Sequence, residues 1–435
     1  MDKNQMMEIL VDWNFWKKEQ NIGKERPGYL DSLEGLLKTD EVVTVTGIRR
    51  SGKSTLMLQY IKRLIDRGVP KEDMLYVNFE DPRFATPDLK MLMDIYSVYQ
   101  EQVKPHKKPY IFLDEIHKVQ EWERFVRSLH ERKEAHLVAS GSASELLSAE
   151  FGTVLTGRHL DLHVFPLSFK EFLAFKGISI GSELDLISKR TEIKQLLMAY
   201  LEHGGFPKIA LIDDPESKTA LLKTYFNDIL SRDVVNRYKI KEVEKLEKLA
   251  VYYMSNVAAQ HSFNRIKKFM ELSASTIERF SWYLTNAYLL FFVEKFSYSL
   301  KEQAKSPRKV YCIDTGLKNA VGFRFREEFG KLIENIVFIE LMRQGKTVFY
   351  WRDRYEYEVD FVIKKGLKPS LLVQVCWDLE KPDTKNREIR ALLRAKESLK
   401  VKDCLVVTWD YEGKDEEQSI QYVPLWKWLI LQTPS

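Results

Sequence analysis

The sequence predicts an α/β protein, and three observations carry that expectation. First, the apolar, β-branched run Val42-Val43-Thr44-Val45-Thr46 leads into Gly47-Ile48-Arg49-Arg50-Ser51-Gly52-Lys53-Ser54, and Thr55 to Ile61 follows with helical spacing of its apolar residues. Second, further short apolar runs recur between helical stretches, at 74–79, 110–113, 135–139 and 160–164. Uninterrupted apolar strands of this kind belong to parallel sheets covered on both faces. Third, the pattern changes near residue 240, to short amphipathic helices and then to strands again.

Composition sets the bounds. A chain of 435 residues suggests about three domains at roughly 150 residues each. With 44% hydrophobic and 30% charged residues it reads as a globular chain with ample core. The net charge of +5 does not by itself argue for nucleic acid. Cys312, Cys376 and Cys404 are odd in number and far apart, so no disulfide framework or metal knuckle is expected, and a reducing cytoplasm is the expected setting. No apolar stretch approaches the ~20 residues of a membrane span, and the polar start Met1-Asp2-Lys3-Asn4 lacks a signal peptide's apolar core.

Residues 1–30 read as a helical segment around Trp13, Phe15 and Trp16, with a turn at Arg26-Pro27-Gly28. The aromatic cluster is read as packing, with adenine stacking as the alternative. The loop at 47–54 matches the phosphate-binding pattern G-x-x-x-x-G-K-[ST]. Gly47 and Gly52 let the backbone curl, so that N–H groups across Ile48, Arg49, Arg50, Ser51 and on to Thr55 face an anion at a helix's positive end. Lys53 would reach the β- and γ-phosphates of ATP, and the Ser54 hydroxyl would ligate Mg²⁺.

The next strand, Met74 to Asp81, ends in Asn78, Glu80 and Asp81, which serve either the γ-phosphate or the loop itself. Tyr110-Ile111-Phe112-Leu113 then delivers Asp114 and Glu115 at a strand tip. Asp114 would hold Mg²⁺, and Glu115 would polarise the attacking water. His117, ahead of a helix over 119–132, reads as a surface or capping histidine. In Ser140-Gly141-Ser142-Ala143-Ser144, Ser140 or Ser142 would sense the γ-phosphate, or Ser142 or Ser144 would cap the helix that begins at Glu145. Arg158, just before the strand Leu160–Val164, is the candidate arginine finger, with a surface ion pair as the alternative and Arg232 as a second candidate.

Together these motifs, with Leu155-Thr156-Gly157-Arg158 and Phe165-Pro166-Leu167-Ser168-Phe169-Lys170-Glu171-Phe172, resemble a family of archaeal and bacterial AAA-type ATPases of the additional-strand P-loop group. Tyr200-Leu201-Glu202-His203-Gly204-Gly205-Phe206-Pro207 and Tyr225 to Asp233 look like that family's helical lid. The resemblance implies a winged helix and a restriction-endonuclease-like domain after the ATPase. It implies that Lys53 and Ser54 take the triphosphate, that Asp114 takes Mg²⁺, that Glu115 is the catalytic carboxylate, and that Ser142 lies at the sensor position. It also implies homo-oligomers in which an arginine reaches a neighbour's site. The expected division is 1–30 N-terminal segment, 31–175 P-loop core, 176–240 lid, 241–320 winged helix, and 321–435 nuclease-like domain.

The later residues read consistently with that order. Amphipathic helices over 241–257, 263–269 and 276–284, with a turn at Leu272-Ser273-Ala274-Ser275, give a helix-turn-helix. Strands at 288–293 and 309–313 would form its wing, joined by a basic linker, 301–308. Ser275, Thr276 and Arg279 would face DNA bases or phosphates, and Lys267, Lys268, Lys301, Lys305 and Arg308 the backbone; protein packing is the alternative use. In the last domain Glu334 and Asp360 resemble the first two acids of a nuclease core signature, but Gln374 and Cys376 stand where Glu-x-Lys is expected. An amide and a thiol in place of a carboxylate and an ammonium weaken divalent-cation chemistry, so the fold is expected without the cutting. The function expected is Mg²⁺-dependent ATP hydrolysis coupled to a DNA-contacting module, with two alternatives: an ATP-gated nuclease, or a non-hydrolysing nucleotide switch.

Overall fold

The computed structural model describes residues 1–141, 157–323, 329–377, 379 and 382–431. The chain falls into two compact units, Met1–Val164 and Phe165–Ser435.

The first unit is built on five strands: β1 (Val42–Thr46), β2 (Met74–Asn78), β3 (Tyr110–Asp114), β4 (His136–Ser140) and β5 (His159–His163). They pair in the order β2-β3-β4-β1-β5, and every pairing is parallel. β4 therefore stands between β1, which feeds the glycine loop, and β3, which carries the acids. The loop and the acids sit at the ends of next-nearest strands rather than adjacent ones, about 10 Å apart at ~4.8 Å per strand. Alternation along each strand supplies both faces. Val42, Val77, Leu113 and Leu137 pack under the helices Lys3–Trp13, Leu89–Val98 and Trp122–Glu131. Val43, Val45, Phe112 and Val138 pack under Pro27–Leu37 and Lys53–Asp66. Each such side chain stabilises the sheet by about 1.5–3 kcal/mol.

The aromatic residues of the N-terminal segment are packing groups. Trp16 stacks on Tyr99 at 5.9 Å and donates its Nε1–H to Met74 O at 3.0 Å. Trp13 lies 6.2 Å from the Tyr76 ring and donates to Asp81 at 2.8 Å, while Phe15 is buried. Asp81 is also gripped by Arg83, and Asn78 Oδ1 accepts the Glu80 N–H at 2.9 Å, so these two residues fasten their own loop.

The first compact unit ends at Val164, inside the expected 31–175 core. The Pro-Leu-Ser-Phe segment belongs to the second unit because Leu167 donates its N–H to Gly205 O at 2.7 Å and Tyr200 donates its hydroxyl to Leu167 O at 2.7 Å. Ser168 and Glu171 form a reciprocal capping box that starts helix Phe169–Phe175. Pro207 opens the short helix Pro207–Leu211 at its first position, where the missing N–H costs nothing. At Gly205 an added Cβ would lie 2.4 Å from Leu167 O, and at Gly316 one would lie 1.9 Å from His203 O. These glycines are there for close backbone approach.

Further on, helix Val243–Ser255 precedes β6 (Gln260–His261), helices Phe263–Met270 and Ala274–Asn286, β7 (Leu290–Val293) and β8 (Arg308–Cys312). The three strands form an antiparallel sheet in the order β6-β8-β7. The stretch expected as a linker contains a short helix, Leu300–Lys305, capped by Ser299. Helix Phe329–Arg343 then leads to β9 (Thr347–Arg352), β10 (Glu358–Lys365), β11 (Lys368–Cys376), β12 (Asp403–Thr408), β13 (Gly413–Asp415) and β14 (Ile420–Pro424). Their order is β13-β14-β12-β11-β10-β9, with β9, β10 and β11 antiparallel and β11, β12 and β14 parallel. The acidic turn at 415–417 closes the β13–β14 hairpin, which the sequence reading did not include. Among the described residues no helix is long and apolar enough to cross a membrane.

Candidate functional site

The carboxyl ends of β1, β3 and β4 meet at one polar centre in the first unit. Gly47 has φ +142°, and a Cβ there would fall 2.2 Å from Val164 O. Arg50 and Gly52 also have positive φ, at 70° and 100°, and Gly52 caps helix Lys53–Asp66. The loop is thus bent where its glycines were expected to bend it, with one turn forced on an arginine. Lys53 is buried and donates its Nζ to the carbonyls of Gly47 (3.1 Å) and Ile48 (3.3 Å). The ammonium is folded back over the loop it would share with a triphosphate. Ser51 Oγ is buried with no hydrogen-bond partner.

Asp114 is 1% exposed and is the hub. Tyr76 donates its hydroxyl to Asp114 Oδ2 at 2.7 Å, Ser140 donates to Oδ1, and the Ser54 hydroxyl bonds the same carboxylate. Burial, then repulsion from Glu115, pushes the Asp114 carboxyl above its ordinary range, while the three hydroxyls pull it back. Ser54 and Asp114 offer hard oxygen donors in contact with each other, which suits Mg²⁺, a cation that takes few protein ligands beside water and phosphate.

Glu115 follows with φ +53°, a left-handed conformation that costs a non-glycine residue roughly 1–2 kcal/mol. Its N–H is accepted by Ser140 Oγ at 3.1 Å, and its carboxylate lies 3.5 Å from His117 Nδ1. Strain of this kind concentrates at functional sites. Ser140 therefore touches both acids from the intervening strand. Glu80 pairs with Arg49 of the loop and with Lys118, both at 3.3 Å; against burial, these cations hold its carboxyl below the usual range.

Two further residues support the site without having been singled out in the sequence. Tyr76 sits inside an apolar strand, where a buried hydroxyl needs a partner, and that need was its only signal. Arg26, read merely as part of a turn, is buried, lies 4.3 Å over the Tyr29 ring, and donates Nη1–H to Ser51 O at 3.1 Å. It thereby ties the N-terminal segment to the loop's backbone at Ser51.

Arg158 does not join this centre. It precedes β5, which runs parallel to β1 with His159 opposite Val42, so it lies at the amino end of the sheet. Five residues of strand, about 17 Å, separate that end from the loop. Its guanidinium is 2.5 Å from Glu131 Oε1. This excludes a contribution from within the same chain. Ser142 lies outside the described residues, as do Ser144 and the helix expected at 145.

In the second unit, Arg279, Lys267 and Lys268 are exposed on the two short helices. Ser273 caps the second of these through Thr276 N at 3.0 Å and shares hydroxyl contacts with Ser275 and Thr276. Arg308 pairs with Glu294 at 3.3 Å and lies over the Phe263 ring. Lys309 Nζ bridges Glu334 Oε1 at 2.8 Å and Asp360 Oδ1 at 2.9 Å, and Gln374 Oε1 accepts the Asp360 N–H at 3.2 Å. Cys376 is buried among Val359, Leu372 and Val406.

Comparison with known proteins places these units. Residues 39–173 match the family described as AAA domain, 194–327 a domain of unknown function (DUF8612), and 329–428 another (DUF4143). The chain is 34% identical to the uncharacterized protein MJ1544 of Methanocaldococcus jannaschii, over 99% of this chain and 96% of that one. It is 30% identical to an uncharacterized protein of Haemophilus influenzae, over 93% and 98%. The solved Walker-type ATPase paby2304 of Pyrococcus abyssi aligns with 71% of this chain and 99% of its own at 10% identity, with a TM-score of 0.46. The parallel five-stranded sheet, with its glycine loop and its inserted strand, is that of a P-loop ATPase core, and the chain belongs to the family of MJ1544, with an AAA domain followed by two domains of unknown function.

Proposed function

We propose that this chain is a Mg²⁺-dependent ATPase. The observation that carries the reading is the Ser54–Asp114–Ser140 contact, which joins the phosphate loop to the acidic strand across β4. In this reading the loop's N–H groups and Lys53 bind the triphosphate, and Lys53 exchanges the Gly47 and Ile48 carbonyls for phosphate oxygens. Ser54 and Asp114 hold the metal. Bound Mg²⁺ supplies charge neutralisation at the β- and γ-phosphate oxygens. Glu115 orients and deprotonates the attacking water, and its strained backbone fixes the carboxylate at the strand tip. Ser140, and Ser142 beyond the described residues, report the γ-phosphate. Arg158 acts only in trans, on a neighbouring copy's nucleotide, so this role requires a homo-oligomer.

The segment 243–312 reads as a winged helix, since helix, strand, two helices across a turn and two strands follow in that fold's order. We infer DNA contact through Arg279, Lys267 and Lys268, with helix Ala274–Asn286 toward the major groove. The last domain reads as a nuclease-like fold that does not cut. Phosphate-release assays test the main reading. Lys53→Ala should abolish turnover. Glu115→Gln should slow it by about 10²–10⁴-fold while ATP still binds. Unchanged turnover in Glu115→Gln would remove that residue from its role.

A further inference from the structure

The second unit holds a buried charge cluster centred on a lysine. Lys309, on β8, is 1% exposed. Its Nζ lies 2.8 Å from Glu334 Oε1, 2.9 Å from Asp360 Oδ1 and 2.6 Å from Glu358 Oε1. Tyr311, two residues along the same face of β8, donates its hydroxyl to Glu334 Oε1 at 2.6 Å. The second oxygens of Asp360 and Glu358 are also engaged. Asp360 Oδ2 accepts the Val375 N–H at 3.0 Å, and Glu358 Oε2 accepts from Gln260 Nε2 at 2.6 Å. A register shift between Val359 and Val362 turns this part of β10 out of the regular ladder.

The Glu-x-Lys position of the nuclease-like signature holds Gln374 and Cys376, yet a lysine reaches the acids from another element. Burial acts against the Lys309 charge, but Asp360, Glu334, Tyr311 and Glu358 outweigh it and raise its pKa well above the ordinary lysine value. Burial, then repulsion from Asp360, pushes Glu334 up to about 8.

We propose that the Lys309 ammonium is the resident cation of the Glu334–Glu358–Asp360 cluster, so that this pocket takes no divalent metal and instead joins β8 to helix Phe329–Arg343 and β10. Mg²⁺ or Mn²⁺ needs several oxygens at about 2.0–2.6 Å around one point. Here that point is filled, and emptying it would strand a buried ammonium without its counter-charges. The proposal rests on the nuclease-like reading of this domain but is independent of ATP hydrolysis.

The test counts bound Mn²⁺ by electron paramagnetic resonance in full-length protein without nucleotide. Asp114→Asn is carried throughout to silence the phosphate-loop site. The Asp114→Asn protein should show no saturable Mn²⁺ site. Adding Lys309→Ala should create one saturable site per chain, and adding Asp360→Asn to that should weaken its binding at least tenfold or remove it. A saturable site in the Asp114→Asn protein that Asp360→Asn abolishes would overturn the proposal and leave the nuclease-like reading intact. So would Mn²⁺-dependent plasmid cutting by wild-type protein that Lys309→Ala abolishes, which would make Lys309 a reacting group. If Lys309→Ala does not fold, the comparison with and without Asp360→Asn in the lysine-bearing protein decides alone.

Discussion

Tyr76→Phe removes one oxygen from the centre of the first unit and leaves the ring in place against Trp13. The lost contact is the 2.7 Å hydrogen bond to Asp114 Oδ2, in a pair that is buried on both sides. A hydrogen bond to a charged group is worth about 1.5–3 kcal/mol. At ~1.4 kcal/mol per tenfold change, that corresponds to roughly 10–100-fold in metal affinity, the range typical of partners that orient a ligand. The sign of the pH effect follows from the same bond. Asp114 already titrates high because of burial and Glu115, and the Tyr76 hydroxyl is one of three groups holding it down. Removing it raises the pKa further. Asp114 must be ionised to hold Mg²⁺, so the acid limb of the rate profile should move to higher pH. The assay is steady-state phosphate release across a Mg²⁺ titration at several pH values. The half-saturating Mg²⁺ should rise about tenfold or more, with most turnover recovered at saturation. A half-saturation within about twofold of wild type, together with an unmoved acid limb, would show that the Tyr76 hydroxyl does not orient a metal ligand.

Two other substitutions probe the packing and the sheet. Gly316→Ala would set a methyl group 1.9 Å from the His203 carbonyl, a backbone atom that has no rotamer to escape into. Urea denaturation should show a loss of about 1–3 kcal/mol or more, and a variant as stable as wild type would mean the two segments separate easily. Arg158→Ala breaks a largely exposed ion pair with Glu131, so stability should change by no more than ~1 kcal/mol. Turnover should be unaffected in dilute, monomeric protein, with any loss confined to oligomers. A loss in monomers would contradict the placement of Arg158 at the amino end of the sheet.

The phosphate loop and the Asp114–Glu115 pair were legible because each is written in consecutive residues: a buried parallel strand is an unbroken apolar run, and its polar tip comes next. What surrounds them was not. Tyr76 and Ser140 reach Asp114 from other strands, and Lys309 reaches Asp360 from a different sheet, so no window of sequence contains either arrangement. Arg158 is a different case. A residue immediately before a strand parallel to β1 must lie at the end away from the glycine loop, and strand direction alone was enough to place it there. The Leu167–Gly205 bond is of the same kind as the Tyr76 and Lys309 contacts, since it joins segments far apart along the chain.

Gly204, Gly205 and Asp314 bear on how this protein can be divided. Asp314 accepts N–H groups from Gly205 at 2.6 Å and Leu317 at 2.9 Å, Thr315 donates to Tyr200 O at 3.2 Å, and Arg343 donates to Pro166 O at 3.1 Å. Residues from 166 to 343 thus close a single knot, through stretches that match three separately catalogued domains. A gene break, a protease nick or an expression boundary between those stretches would leave backbone groups of one half facing water without the other. Parts that look like modules along the chain are obliged to be inherited, cloned and degraded as one piece.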